Sequence, residues 1–177
     1  MRLTLLALLL APMAFAQNAG SKAFVPEACG PIDVEFSVKA NKNQHTIGQP
    51  ETGKALVYFI EEYPLNAGLI HPTVRLAMDG KWVGANRGGS YFSFSVEPGN
   101  HHLCASWQSP SEDIAEQFSV MNFTAEEGKV YFLRIEPRAE AYHDRGEAWS
   151  KDLGPVNPDE GKYLINTLPL SISRAKK

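Results

Sequence analysis

The stretch from Val74 to Trp107 constrains this chain more than any other: V-R-L-A-M-D-G-K-W-V-G-A-N-R-G-G-S-Y-F-S-F-S-V-E-P-G-N-H-H-L-C-A-S-W. Short alternating apolar segments are punctuated by Asp79-Gly80, Arg87-Gly88-Gly89 and Glu97-Pro98-Gly99-Asn100. That density of turn residues predicts consecutive antiparallel strands. With Asp79-Gly80 as a two-residue hairpin turn, Met78 faces Lys81, Ala77 faces Trp82 and Leu76 faces Val83. Leu76 and Val83 then point inward, and Trp82 points outward with Ala77. A second hairpin around Glu97-Asn100 sets Phe94 opposite Leu103, Phe92 opposite Ala105 and Val96 opposite His101. In this register both strands turn their apolar residues to one face, and Cys104 falls on the other.

The remaining chain reads as what covers that stretch. Residues 32–40 alternate, with Ile32, Val34, Phe36 and Val38 on one side, as in a half-buried strand. Residues 54–61 (K-A-L-V-Y-F-I-E) and 129–136 (K-V-Y-F-L-R-I-E) are apolar on both faces, which places them centrally in a sheet. Residues 117–124 and 149–156 supply two further strands, and Pro64, Gly68 and Pro72 mark a surface excursion. Asn157-Pro158-Asp159-Glu160 carries an N-cap, a proline at the first helical position and a glutamate three residues after the cap. A short helix to about Thr167 follows, burying Leu164 and Leu168. The sum is an all-β fold: an antiparallel β-sandwich of Ig-like proportions, about eight strands and one short C-terminal helix. It spans residues 32–170, after an irregular lead-in over 17–31 and before a polar basic tail over 171–177.

The first residues, M-R-L-T-L-L-A-L-L-L-A-P-M-A-F-A, have the form of a secretory signal peptide: one basic residue, an apolar core, a proline and small residues before a cut after Ala16. The apolar core is too short to span a bilayer, and no cysteine stands just after the cut to accept a lipid. The expected destination is the periplasm or the outside of the cell. Removing Arg2 leaves 16 of the 17 Lys and Arg against 20 Asp and Glu, a net charge of −4. That balance, with no basic stripe, argues against nucleic acid as a partner. Export would carry the only two cysteines, Cys29 and Cys104, into an oxidising compartment, where they are expected to pair.

Reactive constellations are scarce. His101 and His102 are adjacent on a strand and point to opposite faces, while His45, His71 and His143 stand singly in loops, so no metal-ligand spacing occurs. Gly88-Gly89-Ser90 lacks the nucleophile-elbow pattern and reads as a tight turn. The acidic pairs Glu61-Glu62, Glu126-Glu127 and Asp159-Glu160 each have a local structural explanation. Asn122-Phe123-Thr124 fits a glycosylation sequon but falls within a strand. No cofactor is implied. Trp82 and Tyr91 admit two readings: an exposed platform for stacking on a sugar ring or partner protein, or aromatics covered by the lead-in or by the 64–72 excursion.

An ordered set of segments resembles a known family. Gly53-Lys-Ala-Leu-Val-Tyr58, Val74-Arg-Leu-Ala-Met-Asp-Gly-Lys-Trp-Val-Gly84, Gly89-Ser-Tyr-Phe92, Val96-Glu-Pro-Gly-Asn-His101 and Gly128-Lys-Val-Tyr-Phe-Leu-Arg134 look like the bacterial family of domain of unknown function 2846. The D-G-x-x-V-G and P-G-x-H elements also resemble surface-layer-associated β-domains named for a P-E-G-A motif. The likeness covers roughly residues 53–168. It implies an exported β-sandwich, often tethered as a lipoprotein, and carries no functional residues over. The expectation is a non-enzymatic module that binds or scaffolds an envelope protein or glycan. Its alternatives are a carbohydrate-binding module using Trp82 and Tyr91, and a hydrolase whose site is assembled from loops.

Overall fold

The computed structural model describes residues 24–45, 47–62, 73–109, 117–142 and 146–176, with side chains from 137 to 151 outside that description. The signal-peptide reading, the lead-in before Phe24, residues 63–72 of the expected excursion, residues 110–116, and His71 and His143 all lie outside the described residues.

Among the described residues ten strands form two stacked sheets, accompanied by one helix. The strands are β1 (Phe36–Asn41), β2 (Ala55–Glu61), β3 (Thr73–Met78), β4 (Lys81–Arg87), β5 (Ser90–Val96), β6 (Gly99–Gln108), β7 (Phe118–Ala125), β8 (Val130–Tyr142), β9 (Gly146–Pro155) and β10 (Leu170–Ala175); helix α1 covers Pro158–Thr167. The larger sheet runs β1-β10-β5-β2-β8-β9 and the smaller β4-β3-β6-β7. Val57, Phe59, Phe92 and Leu133 of the first meet Val74, Leu76, Leu103, Ala105 and Phe123 of the second in one core. The two apolar runs read as central, β2 and β8, lie side by side with neighbours on both flanks. They pair in parallel, Leu56 with Val130 through Glu61 with Ile135, a departure from a wholly antiparallel sandwich. Parallel neighbours need a long crossover, and the four strands of the smaller sheet together with β5 supply it.

The first hairpin holds at its tip, where Met78 meets Lys81 and Ala77 meets Trp82. Beyond it a bulge shifts the register, so Leu76 faces Gly84 rather than Val83. The shift has a packing reason. A Cβ at Gly84 would stand 2.8 Å from Phe92 Cε2, and the glycine leaves room for that ring.

The second expected hairpin does not form. Strand β5 pairs with β2, Phe94 opposite Val57 and Phe92 opposite Phe59, whereas β6 pairs with β3 and β7. The Glu97-Pro98 connection crosses from one sheet to the other, so Phe92 and Phe94 face Leu103 and Ala105 across the core and not along a ladder. Alternation identifies the greasy face of a strand; it does not say which strand lies beside it.

The residues read as a tail form β10, which pairs along all of β1 from Phe36–Ala175 to Asn41–Leu170. The pattern hides this strand because its inward positions are serines. Ser171 Oγ lies 2.7 Å from Ser90 Oγ, and Ser173 Oγ accepts the Ala85 N–H at 3.1 Å from the opposite sheet. On the other flank Ser119 Oγ accepts the Leu153 N–H at 3.3 Å, so a serine closes each side of the sandwich. Strand β1 begins at Phe36, not Ile32, which is 50% exposed.

Helix α1 starts where the capping signals put it. Asn157 Oδ1 accepts the Asp159 and Glu160 N–H groups at 3.1 and 2.9 Å. Leu164 and Ile165 are buried over Leu56, Tyr58, Ile60 and Phe132 on the outer face of the larger sheet, with Leu168 packed at the margin. Gly161 allows the close approach: an added Cβ would overlap Phe132 Cγ and stand 2.6 Å from Cδ1 and 2.7 Å from Cβ. Alanine favours a helix over glycine by about 1 kcal/mol, but overpacking costs about 1 to 3 kcal/mol. Phe132 Cβ and Cγ are too near the backbone to swing aside, so the clash prevails. Gly161→Ala should lower the thermal midpoint by roughly 4 °C in a calorimetric melt. An unchanged or higher midpoint would show that α1 lifts without cost.

Candidate functional site

The expected disulfide is present, joining Cys29 to Cys104 across 75 residues of sequence. Cys104 points from β6 to the outer face of the smaller sheet, as its alternation with Leu103 and Ala105 requires. The bridge therefore straps the described part of the lead-in over that face. Three further ties hold the strap. Gly80 N–H donates to Ala28 O at 3.1 Å, Trp82 Nε1–H donates to Pro31 O at 2.8 Å, and Arg75 Nη1 donates to Ile32 O at 3.0 Å and Val34 O at 2.7 Å.

Arg75 is the centre of this arrangement. It is 2% exposed, its Nη2 reaches Ser106 Oγ at 2.9 Å and Trp107 O at 3.3 Å, and its guanidinium lies 4.5 Å from the centroid of the Trp82 ring. Burial pulls its pKa below the ordinary arginine value, opposed by the charge of Glu35. A buried guanidinium still holds its proton at neutral pH, and here backbone carbonyls and an aromatic face receive it. No pattern in V-R-L-A-M marks this residue. An outward arginine on a half-buried strand ordinarily points to water.

Trp82 and Tyr91 are not brought together. Trp82 stands on β4 of the smaller sheet beneath the strap, so close that a Cβ at Gly30 would lie 2.5 Å from the indole. Tyr91 stands on β5 of the larger sheet, 1% exposed, and donates its hydroxyl proton to Gln44 O at 2.9 Å. Burial, then the neighbouring Tyr58, raise the Tyr91 pKa. The platform lacks a shared surface because β4 and β5, consecutive in sequence, belong to different sheets.

Beside the strap an open groove of about 680 Å³ runs between the lead-in and β6 and β7. Phe24 and Glu27 of the lead-in, Val120 and Met121 of β7, and Asp79 and His102 line it. Phe24 is 82% and Val120 55% exposed, so two large apolar side chains stand open at its margin.

Asp79 also anchors a polar clasp. It occupies the left-handed region at φ 51°, a conformation aspartate tolerates in a turn. Its Oδ1 accepts the His102 backbone N–H at 2.8 Å, and its Oδ2 lies 2.7 Å from His101 Nδ1. His101 Nε2 lies 2.9 Å from Glu97 O. The His101 hydrogen bond, followed by that of the His102 backbone, holds the Asp79 pKa below its usual value. Burial works to lower the His101 pKa, but the Asp79 hydrogen bond, the Glu97 carbonyl and the Asp79 charge together raise it.

Other polar groups tie elements together. Arg134 Nη1 reaches Glu160 at 2.7 Å and Glu62 at 3.2 Å, fastening α1 to β8 and to the residue that follows β2. Ser90 is buried beside Ser171 in the turn where Gly88 and Gly89 take φ 62° and 68°. Among the described residues no three His, Cys, Asp or Glu side chains gather as a metal would require. Glu61 is fully buried, at the end of the inward row Ala55, Val57 and Phe59, a position its place beside Glu62 in the sequence does not suggest.

No family model matches the chain, and no curated protein or solved structure shows significant similarity to it.

Proposed function

We propose that this chain is an exported, non-enzymatic binding or scaffolding module of the bacterial cell envelope, built as a sandwich of Ig-like proportions. The observation that carries the reading is the strapped groove: Phe24 and Val120 stand open on either side of it, while Arg75, Trp82, Asp79 and His101 are occupied in holding its surroundings. Exposed apolar side chains around a concavity favour a partner, an envelope protein or glycan. The Cys29–Cys104 bridge suits an oxidising compartment, in keeping with the signal-peptide form of the first 16 residues. The resemblance to domain of unknown function 2846 points the same way. A carbohydrate module using Trp82 and Tyr91 finds less support, since the two rings share no surface. A loop-assembled hydrolase would need reactive groups converging in a cleft.

The test uses the full-length chain in a Gram-negative host, with a photo-crosslinking residue at Val120 or, as control, at Tyr163 on α1. Expected are release with the periplasmic fraction, an intact mass beginning at Gln17, cysteines resistant to alkylation, and a crosslinked envelope component at Val120 only. Retention of the uncleaved chain in the cytoplasm would defeat the export reading. Equal crosslinking at both positions, or none, would defeat the binding one.

A further inference from the structure

The ring of His101 lies between two groups that can only accept hydrogen bonds, the Asp79 carboxylate at Nδ1 and the Glu97 carbonyl at Nε2. A neutral imidazole carries one N–H and can serve only one of them; the imidazolium serves both. The two acceptors belong to different parts of the fold. Asp79 sits in the β3–β4 turn, and Glu97 in the connection that crosses from β5 to β6. The same turn holds the strap, through Gly80 N–H on Ala28 O, and its Asp79 lines the groove.

We propose that His101 is a proton-operated clasp: while charged it ties the β3–β4 turn to the inter-sheet crossing, and on losing its proton it can hold only one of the two, leaving the turn to its bonds with the His102 backbone and loosening the strap beside the groove. The charged groups around it are few. Asp79 faces it from the turn, and Glu97 from the crossing, where the Glu97 carboxylate stands 3.8 Å from Lys54 and Lys54 in turn 2.9 Å from Glu51. His102, on the opposite side of β6, acts on Asp79, and across β7 the partner of His101 is the uncharged Phe123. Lys54 is shared by two carboxylates, so Asp79 is the counter-charge left to govern the ring.

The direction follows from linkage. His101 has a raised folded-state pKa, so its contribution is complete below about pH 6.5, the ordinary histidine value, and is lost as pH rises through the folded value. Asp79 has a lowered one, so its contribution is present above its usual 3.8 and is lost as pH falls through the folded value. The clasp is therefore fully formed in mildly acidic solution and opens toward alkaline pH.

The experiment follows the His101 ring resonances and the hydrogen-exchange protection of the Gly80 amide by NMR from pH 5 to 9 in the intact oxidised protein, corrected for intrinsic exchange. His101 should titrate above the ordinary value, and Gly80 protection should fall between about pH 6.5 and that midpoint, about tenfold for each unit of elevation, and level off above it. Asp79→Asn should bring the His101 midpoint down toward the ordinary value. His101→Gln should make Gly80 protection independent of pH, which keeps the test decisive if Asp79→Asn fails to fold. His102→Gln should leave both readings in place. A His101 midpoint at or below the ordinary value, or Gly80 protection that stays flat through the titration, would overturn the proposal.

Discussion

Replacing Cys29 and Cys104 together by alanine should lower stability by about 4 kcal/mol, a larger loss than removing any of the strap's other ties. Closing a 75-residue separation removes chain entropy from the unfolded state worth about 4 to 5 kcal/mol in the loop-closure account, and strain or residual structure only reduces that figure. Part of the effect is local. Ala77, Cys104 and Cys29 form a small cluster with Val25, Trp82 and Phe118 that the bridge holds shut. For a domain of this size 1 kcal/mol moves the midpoint by roughly 2 to 4 °C, so the melt should shift down by roughly 8 to 16 °C. Trp82 emission should move to the red in the folded variant as the strap lifts from the indole. A midpoint within a degree or two of the parent would mean that the ties at Arg75, Trp82 and Gly80 hold the strap unaided.

Arg75→Leu should cost about 3 kcal/mol, the second largest loss. Leucine fills part of the volume but removes the donors to Ile32 O, Val34 O, Ser106 Oγ and Trp107 O. Hydrogen bonds to a charged group contribute about 1.5 to 3 kcal/mol each, and the carbonyls of the strap can recover part of this from water. Arg75→Lys should restore only a fraction, since one ammonium cannot span four acceptors on two sides or lie flat on Trp82. Chemical denaturation measures both variants. Equal stability of Arg75→Leu and the parent would show that burying this cation offsets everything its partners contribute, a balance known for buried charges.

Much of the fold is legible where local chemistry dictates local structure. The helix can be placed from Asn157 and Pro158 because a cap acts within one turn of chain. The central position of β2 and β8 follows from their two apolar faces, and the outward direction of Trp82 and Cys104 from simple alternation. What alternation does not carry is the identity of the neighbour. Phe92 and Leu103 face the same core from opposite sheets, and a hairpin and an inter-sheet crossing through Pro98 give the same pattern of greasy sides. Strand β10 is hidden because serines occupy its inward positions, and their value lies in partners 81 and 88 residues away. The strapped face is half legible: two cysteines foretell the bridge, whereas the burial of Arg75 and the reach of His101 from β6 to Asp79 depend on contacts that no short window contains.

The pairing of β1 with β10 joins Phe36 to Ala175, nearly the two ends of the described chain, with β10 set between β1 and β5. Such a ladder cannot zip until β10 has been synthesised, and closures over so long a span are slow. Until then β1 and β5 lack the strand that stands between them, and the larger sheet stays open on that flank.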